Sequence, residues 1–147
     1  MHVLNGGCHC GKLLVRMELT RPPASYNPRA CDCDFCRKHA AAYVSDPKGA
    51  LLIRIADPQS AGRYRQGSGL AELLFCDTCG VAVGALYRDE ARLYGVVNAR
   101  VLGDAAGFGA EQTVSPQRLS PDEKVSRWRK VWFADVSIVV EGSAARG

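Results

Sequence analysis

The 147-residue chain is predicted to adopt a mainly β fold with at most one or two short helices. Three features predict it: short apolar or alternating stretches recur at regular spacing, turn residues separate them, and helix signals are few. Glycine supplies 15 residues and the apolar share is 47%, a balance that leans towards strands, turns and loops. A chain of this length can bury a core without disulfide staples and suffices for one domain. Residues 1–141 are assigned to that domain and 142–147 to a C-terminal tail.

The elements follow in order. "KLLVRMEL" (12–19) alternates Val15, Met17 and Leu19 against Arg16 and Glu18, the pattern of a half-buried strand. "TRPPASYNP" (20–28) is a loop, since its prolines break any ladder. "RKHAAAYVS" (37–45) reads as a short helical turn leading into a strand. "ALLIRIA" (50–56), "GRYRQ" (62–66) and "AELLFC" (71–76) read as strands separated by "DPQSA" and "GSG" turns. "VAVGALY" (81–87) and "ARLYGVV" (91–97) continue the pattern around "RDE". "GDAAGFGAEQ" (103–112) is a mobile connection by composition. "SPDEKVSRWRK" (120–130) opens with a helix start signal: Ser120, then Pro121, then Glu123 three residues on. "VWFADVSIVV" (131–140) is read as one last strand. No internal repeat runs at a fixed period.

Seven cysteines fall in three clusters, "CHC" (8–10), "CDCDFC" (31–36) and "CDTC" (76–79). An odd count and the poor geometry of a bridge between i and i+2 oppose disulfides. The spacings suit zinc, whose tetrahedral site needs sulfurs roughly 3.8 Å apart for Zn–S near 2.3 Å. On an extended segment Cys8 and Cys10 point to one side and His9 to the other. Gly6, Gly7 and Gly11 let the backbone curl and bring N–H groups towards the sulfurs. Gly80 completes the "CDTCG" knuckle by taking positive φ. Seven thiols divide economically into Cys8, Cys10, Cys76 and Cys79 as a closed structural site, and Cys31, Cys33 and Cys36 as a three-ligand site. A closed four-ligand zinc is structural, whereas three protein ligands with an open position is the catalytic arrangement. His39, three residues past Cys36, is an alternative fourth ligand that would close the triplet. His2 is assigned to a frayed terminus.

Formal charge is +4, but seven thiolates on two divalent ions would lower it to about +1, so basicity argues little for a nucleic-acid partner. The basic "RWRK" stretch (127–130) forms no extended patch. No apolar run approaches the ~20 residues that cross a bilayer. The N-terminus lacks a basic start and an apolar h-region, so a cytoplasmic, reducing setting is expected.

In order, "GGCHCGK", "CDCDFCRK", "FCDTCG" and "VVNARVL" resemble the motif set of the glutathione-dependent formaldehyde-activating enzymes, the family also named for centromere protein V. The resemblance covers roughly residues 3 to 103. It implies an Mss4-like fold of short antiparallel sheets around the Cys₄ zinc, with a second zinc on the triplet. It also implies a carbon–sulfur lyase that joins formaldehyde and glutathione as S-hydroxymethylglutathione. The triplet departs from the family's usual serine at Asp34, and "HAAAY" (39–43) stands where small residues are usual.

Three thiolates make zinc a poorer Lewis acid but leave it able to hold an incoming thiol as thiolate. The expected catalytic residues are therefore Cys31, Cys33 and Cys36 as ligands, with a small thiol such as glutathione or an analogue as partner. Arg37 and Lys38 are candidate substrate-binding residues, placed to offset charge and attract a carboxylate. Asp34 opposes an anionic ligand and suits an amino group. Asn98 matches the family's "VN" asparagine or is a turn residue. Arg63, Arg65 and Arg100 line a cleft or cover a sheet face. Trp128 and Trp132, four apart, suit a core or homodimer contact more than a ligand stack. The alternative to an enzyme is a non-catalytic zinc-stabilised module that binds a protein partner.

Overall fold

A computed structural model of the chain describes residues 1–103 and 106–141. The tail at 142–147 and part of the 103–112 connection lie outside the described residues. The strands are β1 (His2–Gly7), β2 (Leu13–Leu19), β3 (Arg29–Cys31), β4 (Ala42–Val44), β5 (Ala50–Ile55), β6 (Ala61–Arg65), β7 (Glu72–Cys76), β8 (Ala82–Arg88), β9 (Leu93–Asn98), β10 (Gln112–Val114) and β11 (Val136–Val140). Two α-helices, α1 (Asp34–Lys38) and α2 (Pro121–Val131), complete the mainly β fold. One sheet has the order β1-β2-β5-β11, the other β10-β3-β4-β9-β8-β7-β6.

Alternation in β2 does what its pattern predicts. Leu13, Val15 and Met17 face Ile55, Ile53 and Leu51 of β5 in register, and all six are buried. This inner face packs on the second sheet through Leu74, Val83, Val97 and Phe133. The strands β7, β8 and β9 are apolar on both faces, because each face is covered. Leu74 and Val97 look towards the first sheet. Their neighbours Leu73 and Val96 join Ala85, Trp128 and Trp132 in a separate cluster under α2. The fold is therefore layered: sheet, sheet, helix.

α2 begins where the sequence signals it. The Ser120 hydroxyl accepts from the Glu123 N–H, and the Glu123 carboxylate accepts from the Ser120 N–H.

Three expectations are corrected. His2 is not frayed: it opens β1 and pairs with Leu19, so register with β2 holds the terminus. The stretch 131–140 is not one strand. Val131 ends α2, the Trp132 N–H still donates to the Trp128 carbonyl, and Phe133 makes a bridge with Gly95 before β11 starts. The sheets are not wholly antiparallel, since β10 joins β3 and β11 joins β5 in parallel. Both parallel strands arrive from the C-terminal third and occupy sheet edges.

Candidate metal centres and the cavity above the triplet

The Cys8, Cys10, Cys76 and Cys79 sulfurs all lie within 4.8 Å of one another. Cys10 Sγ sits 3.7 Å from Cys8 Sγ and 3.5 Å from Cys76 Sγ. These separations match a tetrahedron of thiolates around zinc, with edges of roughly 3.8 Å, and all seven cysteines are free. The residues thus fit the group. Cys8 and Cys10 come from the turn between β1 and β2, not from an extended segment. The N–H that reaches Cys8 Sγ belongs to Leu13, at 3.3 Å, and not to the flanking glycines. Gly80 takes φ +81, as the knuckle requires, and its N–H donates to the Cys76 carbonyl at 2.8 Å. Backbone N–H groups of Val81 and Cys10 draw the Cys79 thiol down to about 6.

The second cluster holds Cys31, Cys33 and Cys36, again within 4.8 Å. Cys31 ends β3, and Cys33 caps α1, accepting the Cys36 N–H at 3.5 Å. All three are buried. A hydrogen bond from Cys36, working against burial, brings Cys31 down to about 6. The Tyr43 hydroxyl lies 3.2 Å from Cys36 Sγ. Burial keeps that phenol protonated and able to donate. His39 is not grouped with these sulfurs; it is exposed, and its ring packs on Phe35 at 4.4 Å.

Above the triplet opens a cavity of about 460 Å³. Its floor is the cysteine cluster with Tyr43. One wall is a cross-strand row, Leu73–Ala85–Val96, paired in register through β7, β8 and β9. Gln66 reaches in with its amide nitrogen 3.9 Å from Cys33 Sγ. α2 adds Lys124, Arg127 and Trp128 to the lining, joined by Trp132 just beyond it. The Trp128 and Trp132 rings stack at 4.9 Å. They are core residues, as their spacing suggests, but they also face the cavity.

The cations that line the cavity are Arg29, Lys124 and Arg127; Arg37 and Lys38 are exposed on the last turn of α1, outside the lining. Burial, with Arg127 nearby, lowers Arg29 to about 10. Arg63 and Arg65 pair with Glu72, and Arg100 pairs with Glu111. Asn98 is buried, donating to the Ala82 carbonyl and accepting from the Ala42 N–H, so it ties β9 to its surroundings. Reading the sequence missed Tyr43, Gln66, Lys124 and Arg127. The i, i+3, i+4 spacing of Lys124, Arg127 and Trp128 was the one available signal for the helix wall.

No helix among the described residues is long and apolar enough to cross a membrane. No curated protein matches the chain. A crystal structure of a Rhodobacter sphaeroides protein is similar in fold, with a TM-score of 0.54 and 23% identity over 92% of this chain and 100% of that one. The sequence model of the glutathione-dependent formaldehyde-activating enzymes matches residues 3–118, which include all seven cysteines and end just short of α2. With the match spanning both clusters in the order the motifs suggest, this chain belongs to the glutathione-dependent formaldehyde-activating enzyme family.

Proposed function

We propose that the protein is a zinc-dependent enzyme of carbon–sulfur lyase type, similar to S-(hydroxymethyl)glutathione synthase, acting on a small thiol adduct. One observation carries this reading: three clustered thiols face a cavity, while the four remaining thiols form a separate cluster. Zinc held by Cys31, Cys33 and Cys36 would supply a coordination place at which an incoming thiol gives up its proton. The surrounding residues suit that task. The Tyr43 hydroxyl at Cys36 and the Gln66 amide at Cys33 offset charge gathered on the sulfurs. The apolar walls keep water from competing for the site. In the synthetic direction the substrate sulfur attacks the aldehyde carbon, a C–S bond forms, and the carbonyl electron pair moves to oxygen. That oxygen takes one proton, balancing the one lost from the thiol. Lys124 and Arg127 are placed to hold acidic groups of the thiol, a task Arg37 and Lys38 share only at the surface. A reducing compartment, such as the cytoplasm, fits seven free thiols.

Elemental analysis of freshly purified, reduced protein tests the reading. Two zinc ions per chain are expected. Cys33→Ala should hold one, stay folded, and lose turnover with glutathione and formaldehyde by about 10²-fold or more. One ion per chain in the wild type, with no turnover for any thiol and aldehyde tried, would instead favour a zinc-stabilised binding module.

A further inference from the structure

The helix wall of the cavity makes a finer statement about the substrate. We infer that α2 makes the triplet selective for an acidic thiol with an apolar body. Lys124 and Arg127, with Arg29, grip the acid, and the wall of Trp132, Leu73 and Val96 takes an aryl or alkyl group. This rests on the thiol reading above and narrows it.

Three observations carry it. First, the described ion pairs engage Arg16, Arg54, Arg63, Arg65, Arg100 and Arg129. None engages the three cavity cations. Arg29 donates to the Ser45 hydroxyl at 2.8 Å, which leaves its charge unneutralised, and Arg127 is close enough to repel it. Like charges gathered beside an apolar surface repel one another, and an acid in the cavity relieves them. Asp34, the one carboxylate in the lining, is exposed and lies on the triplet side.

Second, the strand wall beneath α2 offers no side-chain hydrogen-bonding group. Leu73, Ala85 and Val96 form one buried apolar row that lines the cavity. The stacked Trp128 and Trp132 pack against this row and extend the apolar surface. A peptide-like body would find few partners there for its amides, whereas an aromatic or branched body would bury its surface.

Third, α2 at Pro121–Val131 lies beyond residues 3–118, the part matched by the family. Its Lys124, Arg127 and Trp128 share one face at i, i+3 and i+4. The capping box and the Phe133–Gly95 bridge fix that face over the cavity. Selectivity from this helix is added to whatever the common cysteine framework supplies.

Four probes test the inference: 2-benzyl-3-mercaptopropanoate, its carboxamide, 3-mercaptopropanoate and glutathione. Both tryptophans of the chain face the cavity, so intrinsic fluorescence reports its filling. Cobalt-substituted protein reports sulfur ligation through thiolate-to-metal absorption. The benzyl acid should bind at least about tenfold more tightly than each of the other three. Lys124→Met combined with Arg127→Met should abolish the acid-over-amide preference while the cobalt absorption persists. Arg127→Gln alone, at an exposed position, should halve or better the preference and serves if the double variant does not fold. Equal affinity for all four thiols with a full cobalt signal overturns the selectivity and leaves the thiol reading standing. Fluorescence quenching by the benzyl acid without cobalt absorption supports the cavity's selectivity and overturns the thiol reading. A preference that survives both substitutions overturns the role of α2.

Discussion

The two cysteine clusters contain the same small device and use it differently. "CDTC" (76–79) and "CDFC" (33–36) each make a knuckle in which the first sulfur accepts the N–H of the last cysteine, both at 3.5 Å. After Cys79 the chain reverses at once through Gly80, with φ +81. After Cys36 it runs on through α1 and reverses only at Ala40, with φ +51. The other ligands differ more. Cys8 and Cys10 arrive from a hairpin turn in the first sheet, whereas Cys31 is the neighbour of its own knuckle. One cluster therefore joins two sheets. The other joins only residues 31 to 36, already held by the chain, and opens to a cavity. Which partners a thiol pair meets, rather than the pair itself, separates a clip from a reaction site.

Four substitutions would break or sharpen that contrast. The largest effect is expected at Cys76, which is completely buried. Cys76→Ser should cost several kcal/mol, because metal binding to such a site is folding free energy. Circular dichroism should show loss of the cooperative melt, while Cys33→Ala melts within a few degrees of wild type. If the two variants melt alike, the clusters do not divide the work this way.

A second link between the sheets needs no metal. Asp46, which follows β4, is buried and accepts from the Thr20 N–H and hydroxyl beyond β2, at 2.9 and 2.6 Å. The Tyr26 hydroxyl at 2.6 Å and the Lys48 N–H at 2.9 Å complete the set. Burial opposes the carboxylate charge, yet these donors outweigh it and lower Asp46 from 3.8 to about 2. The ionised form is thus favoured by folding. Its contribution, about 2 kcal/mol, is fully present above pH 4 and is lost as pH falls towards 2. Asp46→Asn should cost about that much at pH 7, and the gap from wild type should close in acid. Urea titrations at several pH values check both the size and the sign.

The smallest effect concerns the cavity's helix wall. Ser120→Ala removes one half of the capping box and should cost about 1 kcal/mol. Thermal melts read the stability. The tryptophan emission should shift red as α2 frays, with metal content unchanged. A variant that loses metal would tie α2 to the clusters more closely than the cavity geometry suggests.

Much of the fold was legible because it depends on local pattern. Val15, Met17 and Leu19 alternate with charges, so β2 announces itself. Ser120, Pro121 and Glu123 announce α2. β1 carries weak alternation and ends in Gly6 and Gly7, and it is a strand because β2 pairs with it. β3 and β10, three residues each, exist through their partners and have no pattern of their own. The site divides in the same way. Cysteine spacing spelled out the triplet and the two thiol pairs, since ligand geometry limits how thiols can be placed along a chain, and the fold brought the two pairs together. Tyr43, Gln66, Arg29 and the α2 cations come from four separate parts of the chain, and no local spacing links those parts.

The amino-acid order alone marked three short thiol clusters as metal ligands and made four plus three their economical division, because short-range spacing and the demands of a tetrahedral ion act within a few residues. Only the tertiary structure decided that one set clasps two sheets and the other lies open beneath a cationic, tryptophan-lined wall. That outcome depends on contacts between segments up to about a hundred residues apart, and such contacts are chosen by burial of whole faces, which no single stretch encodes.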